Sequence, residues 1–173
     1  VTAIAWTDKV AETLQEGGRV LLMPARECVR EPVTFDFFTI FWGRGLFGDR
    51  MPRALGILCN PEHPALARFP TRMHADWQWH DLLRQAYALD LSGLPFSFEP
   101  IVFAIDDFNL SHRLAVLFEA RVSKGRLLIS TLDLGAPGKR SLVQREMLRS
   151  LLAYTGSAKF APRQRLSIAR VAA

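Results

Sequence analysis

The stretch "HRLAVLFEARVSKGRLLISTLDL", His112 to Leu134, constrains the fold more than any other part of this chain. Two apolar runs flank Ser123-Lys124-Gly125, so the chain reverses there into an antiparallel hairpin, with the glycine supplying the turn geometry. Lys124 and Arg126 would keep the end of that hairpin soluble, which suits a pair at one margin of a sheet. The chain must therefore build a sheet with apolar strands, and the remaining segments have to cover it.

"VTAIAWTDKVAETLQEGGRVLLMPA" reads as strand, helix and strand in succession. Thr7 or Asp8 can accept the first free N–H groups of the helix, Val10 and Leu14 lie on its apolar stripe, and Gly17-Gly18 ends it. The uninterrupted "VLLM" that follows predicts a strand buried on both faces, and with it a mainly parallel sheet. "VTFDFFTIFW" (Val33 to Trp42) is strongly strand-forming and leads into a glycine-rich loop, "GRGLFGDRMPR". "ALGILCN" predicts a short buried strand, and "PEHPALARFP" a proline-bracketed helical turn. "SGLPFSFEP" is a connector, and "IVFAIDDF" a strand ending in two aspartates. "KRSLVQREMLRSLLAYTG" predicts an amphipathic helix with Leu142, Met147, Leu148, Leu151 and Leu152 near one side, and "RLSIARV" a last strand.

Alternating strands and helices with no internal repeat predict one layered α/β domain over residues 1–173: a mainly parallel sheet flanked by helices, with one antiparallel hairpin. The length of 173 residues and the 49% hydrophobic content suit one core. The chain opens at Val1, already strand-like, which suggests a piece cut from a longer protein. No apolar run reaches the roughly 18 to 20 residues needed to span a bilayer. The net charge of +5 comes largely from scattered arginines rather than a stripe, so nucleic acid is not an expected partner. Cys28 and Cys59 are expected to be free, buried thiols.

Several familiar motifs fail on context. "GRGLFG" lacks the Gly-Lys-Ser/Thr ending of a phosphate loop and does not link a first strand to a helix, so it reads as a loop at a strand end. Cys28, in "PARECVRE", follows a strand but lacks the flanking glycines of a nucleophile elbow. Cys59 reads as a core residue. Asp106 and Asp107 are adjacent and would point to opposite faces of a strand, so they read as caps of the turn before Asn109 and Ser111 rather than as a glycosidase pair.

"FPTRMHADWQWHDLL", Phe69 to Leu83, concentrates two tryptophans, two histidines and two aspartates. With a helix from near Ala75, Trp79, Leu82, Leu83 and Ala86 form one apolar stripe facing the sheet. Trp77 lies about 200° around the helix from Trp79 and must meet another element, a partner or solvent. Asp76 and His80 form an i, i+4 pair. His74, Asp76 and His80 are acceptable metal ligands, but zinc needs tetrahedral convergence and His74 precedes the helix, so no metal and no cofactor is expected. Trp77 flanked by His74 and Asp76, with Trp42 and Arg44 of the glycine loop, is the candidate set for carbohydrate or domain contact.

"FWGRGLFGDRMPRALGILCNPEHPALARFPTRMHADWQWHDLL", then "PIVFAIDDF", then "LAVLFEARVSKGRLLISTLDL" resemble, in order, the C-terminal region of large bacterial proteins of the glycoside hydrolase family 2 type, β-galactosidase-like proteins. The resemblance covers roughly Val1 to Tyr154. It implies a flavodoxin-like or class I glutamine-amidotransferase-like α/β domain, attached to a parent enzyme that acts on glycosides with carboxylates in a separate barrel. It implies other domains of the parent as partners, carbohydrate and self-association as further ones, and a periplasmic or secreted parent. The amidotransferase cysteine elbow is missing here, and no catalytic residue carries over. The expected function is thus a non-catalytic accessory domain. The alternatives are a hydrolase or amidase using Cys28 or an aspartate, and a plain small-ligand-binding module.

Overall fold

The computed structural model describes residues 1–34, 56–107 and 110–172. Among the described residues nine strands join in one sheet: β1 (Thr2–Ala3), β2 (Arg19–Leu22), β3 (Val33–Thr34), β4 (Gly56–Cys59), β5 (Tyr87–Asp90), β6 (Val102–Ile105), β7 (Leu114–Val122), β8 (Gly125–Ser130) and β9 (Arg165–Leu166). The helices among the described residues are α1 (Asp8–Gln15), α2 (His80–Leu83), α3 (Leu142–Gly156) and α4 (Ile168–Ala172). The main path runs β1-β2-β8-β7-β5-β3, with β6 and β9 also paired to β7 and β4 paired to β6.

The expectation of a mainly parallel, flavodoxin-like sheet is wrong. Among the described residues β1–β2, β2–β8 and β7–β9 run parallel, whereas β3–β5, β4–β6, β5–β7, β6–β7 and β7–β8 are antiparallel. The sheet is mixed, mostly antiparallel, and accompanied by few helices. An unbroken apolar run such as "VLLM" reports burial on two faces, not strand direction. Leu21 and Leu128 face one core, with Met147, Leu151 and Tyr154 of α3. Val20, Leu22, Leu127 and Ile129 face the other, with Val10 and Leu14 of α1. One helix on each face is enough to bury both sides of neighbouring strands, whichever way those strands run.

The hairpin is present, but in the middle of the sheet, since β8 lies between β2 and β7. Its turn residues are Ser123 and Lys124, and the positive φ, 53°, belongs to Ser123. Gly125 instead sits where β8 crosses α1. A Cβ there would come within 2.7 Å of the Leu14 Cα and 2.8 Å of the Gly18 carbonyl oxygen. The glycine is required for close approach, not for turn geometry.

Elsewhere local signals hold. Thr7 caps α1, accepting from the Val10 N–H at 3.4 Å, and Gly17 leaves that helix at φ 89°. Ser141 and Gln144 form a reciprocal capping box at the start of α3. The buried stripe of α3 runs through Gln144, Met147, Leu151 and Tyr154, while Leu142 and Leu152 are exposed. Gly56–Cys59 is a strand as expected, although Leu58 on its outer face is exposed. "RLSIARV" divides into β9 and α4. β5, in "YALDL", was not foreseen; it pairs with β7 and β3. Beyond Val33–Thr34, the strand expected to reach Trp42 lies outside the described residues, as does the glycine loop.

Candidate functional site

Within residues 69–83 the chain ends in a short helical segment, 77–83, whose faces divide as the aromatic spacing requires. It begins as a 3-10 turn, Trp77–Trp79, and continues as α2, two residues later than a start at Ala75. Trp79, Leu82 and Leu83 are fully buried. The Trp79 indole N–H donates to Thr71 Oγ1 at 2.7 Å, and its ring meets Phe69 edge-on, with centroids 5.4 Å apart. A buried indole thus keeps its one polar atom paired.

Trp77 takes the opposite course and is 94% exposed. Asp76, immediately before it, is the N-cap residue of the turn, yet its side chain makes no capping bond. Its carboxylate has no hydrogen bond or ion pair among the described residues. His74 is exposed and its Nδ1 lies 3.2 Å from the Ala75 carbonyl oxygen. His80 turns to Asp81, Nδ1 to Oδ1 at 3.6 Å, rather than to Asp76. Among the described residues no three of His, Cys, Asp and Glu are grouped so as to hold a metal ion. Trp42 and Arg44 lie outside the described residues.

This surface continues into the sheet. His74 bridges Leu58 in antiparallel fashion, and Met73 accepts from the Cys59 N–H at 2.8 Å. Leu58 stands opposite Phe103 of β6, so Leu58, Phe103 and Ile105 share one face, and all three are exposed. The alternation of "GILC" and "VFAI" already carried this half-exposed pattern. It was missed because a short apolar strand invites the reading that both faces are buried.

The other candidates resolve differently. Cys28 ends a 3-10 turn, Arg26–Cys28, and is exposed, contrary to expectation; Cys59 is buried, and both are free thiols. Burial pushes the Cys59 thiol up, and its Sγ lies 3.2 Å from the Arg72 carbonyl oxygen. Tyr87 donates to the Pro24 carbonyl at 2.5 Å, and its pKa is pushed up to about 12, first by burial and then by the nearby Cys28. Asp106 and Asp107 follow β6 and are both buried. Asp107 caps the next turn, accepting from the Leu110 N–H at 3.2 Å. Asp106 Oδ2 accepts from the His112 backbone N–H at 2.9 Å and lies 2.9 Å from His112 Nδ1.

One titratable pair escaped the sequence reading. The Tyr154 hydroxyl donates to Glu119 Oε2 at 2.6 Å, across from α3 to β7. Burial raises the Glu119 pKa, and the tyrosine bond works against that rise. Tyr154 is raised as well, first by burial and then by the glutamate. Its signal was present as the lone acid in the apolar run "LAVLFEARV".

No helix among the described residues is long and apolar enough to cross a membrane. No curated protein matches the chain. A family model does, over residues 1–173, and the chain belongs to the family described as Domain of unknown function (DUF8487).

Proposed function

We propose that this chain is a non-catalytic accessory domain of a β-galactosidase-like glycoside hydrolase and that the Trp77 surface contributes carbohydrate contact. The observation that carries the reading is the 94% exposed Trp77 ring beside an Asp76 carboxylate that caps nothing. Sugars offer an apolar C–H face for an aromatic ring and hydroxyls at its edge for a carboxylate or imidazole. Trp77, Asp76 and His74 provide those groups within four residues of one another. The sequence resemblance to the C-terminal region of family 2 glycoside hydrolases supports the parent activity.

A second reading rests on a separate observation. Leu58, Phe103 and Ile105 form an exposed apolar sheet face next to the tryptophan. Such faces commonly pack against protein, so contact with another domain of the parent is the companion role.

Titration of the chain with β-linked galacto- and gluco-oligosaccharides, followed by the indole N–H resonances, tests the first reading. Saturable shifts of one exposed indole, lost in Trp77→Ala and weakened in Asp76→Asn, are expected. Nitrophenyl glycosides should not be turned over. Oligosaccharide binding that survives Trp77→Ala would remove the proposed platform, and saturable glycoside hydrolysis would remove the accessory role.

A further inference from the structure

We infer that a cleft on the α1 side of the sheet binds a small molecule with a flat apolar body and a single anionic group, such as a carboxylate or sulfonate. This inference goes beyond the accessory role and stands whether or not Trp77 meets a glycan. The cleft has a volume of about 480 Å³, inside the range usual for small-molecule sites. Leu22 of β2, Phe118 of β7 and Ile129 of β8 give it an apolar floor, and Trp6 adds an aromatic wall.

The rim carries Arg30, Glu31, Asp90 and Arg170. Arg19, Arg113, Arg126 and Arg140 donate to backbone carbonyls. Neither Arg30 nor Arg170 donates a side-chain hydrogen bond or joins an ion pair among the described residues. Arg170 is nevertheless seated, because its guanidinium lies over Gly93, where any Cβ would collide with Nη2. Gly93 also lines the cleft. Two guanidiniums without a partner among the described residues, on the lining of an apolar cavity, suit a planar anion, which they can hold through paired N–H donors.

The acids limit the charge of that ligand. Asp90 already accepts from the Ser92 N–H at 2.7 Å, but it and Glu31 still offset the two arginines. A rim of balanced charge does not draw in polyanions from a distance. One anionic group, recognised on contact, is what it can accommodate.

Cys28 lines the cleft and is exposed, while the other cysteine, Cys59, is buried. Alkylation of Cys28 in the native protein therefore reports occupancy. The probe is 8-anilinonaphthalene-1-sulfonate, compared with its neutral analogue N-phenyl-1-naphthylamine and with inorganic pyrophosphate. Expected are saturable binding of the sulfonate at one site, slower alkylation of Cys28 by iodoacetamide in its presence, and no competition by pyrophosphate. The neutral analogue should bind about ten-fold more weakly, because it forgoes the charge-assisted bonds. Arg170→Ala should weaken the sulfonate by a similar factor and leave the neutral probe unchanged. Gly93→Ala, which keeps the guanidinium but takes its seat, should weaken it in the same direction. Circular dichroism confirms that each variant is folded. Equal affinity for charged and neutral probes, an Arg170→Ala protein that binds as wild type, or unchanged Cys28 alkylation under saturating sulfonate would each overturn the inference.

Discussion

Gly125 of β8 and Leu14 of α1 touch so closely that no side chain fits between them: a Cβ on Gly125 would stand 2.7 Å from both the Cα and the carbonyl oxygen of Leu14. The neighbouring atoms are backbone, so they cannot rotate out of the way. Gly125→Ala is therefore expected to destabilise the fold by about 1–3 kcal/mol, the usual cost of overpacking, as measured by urea unfolding. Ser123→Gly, two residues earlier at the positive φ, should be neutral or stabilising. If Gly125→Ala is silent and Ser123→Gly is damaging, the crossing of β8 over α1 is misassigned.

The two tryptophans of residues 69–83 should separate cleanly. Trp79→Ala removes a fully buried ring and its indole bond to Thr71, at a cost of about 3–5 kcal/mol. Trp77→Ala removes a ring that is almost wholly in solvent, and such changes stay within about 0.5 kcal/mol. Thermal melts of the two variants side by side are sufficient, and equal losses would contradict the two-faced segment.

Glu119 should make stability fall as pH rises. Its pKa is raised in the folded state, chiefly by burial, so the folded protein holds this proton more tightly than the unfolded chain. That contribution is complete below the unfolded glutamate value and is lost as pH climbs through the folded one. Glu119→Gln, which cannot ionise, is expected to gain stability relative to wild type between about pH 4 and pH 7. Denaturation midpoints at the two pH values measure it, and a difference independent of pH would rule out this linkage. Tyr154→Phe removes the bond that favours the carboxylate and should steepen the loss.

Asp106 anchors the turn after β6 through two contacts to His112. Asp106→Ala leaves a part-buried backbone N–H without its acceptor and is expected to cost about 1 kcal/mol. His112→Ala keeps that backbone donor and should cost less. A reversed order, read from chemical denaturation, would show that the imidazole rather than the backbone contact holds the turn.

Local order was legible in the sequence wherever short-range chemistry decides it. The Thr7 cap and Gly17 exit of α1, the existence of a reversal near Ser123, and the spacing that buries Trp79 and puts Trp77 off its stripe all depend on residues within one or two turns of each other. Strand direction and neighbour choice were not legible. "VLLM" in β2 looks the same whether β8 runs beside it or against it, because apolar patterning encodes burial and not polarity. The cleft could not be foreseen either: Trp6, Leu22, Phe118, Ile129 and Arg170 are spread over most of the chain and meet only in the folded sheet. Gly125 shows the same division at a single residue. The sequence alone determined that the chain turns back at Ser123-Lys124-Gly125, with the glycine read as part of the turn. Only the tertiary structure decided why it must be glycine, because the atoms a side chain would strike belong to α1 and the turn after it, more than a hundred residues away along the chain.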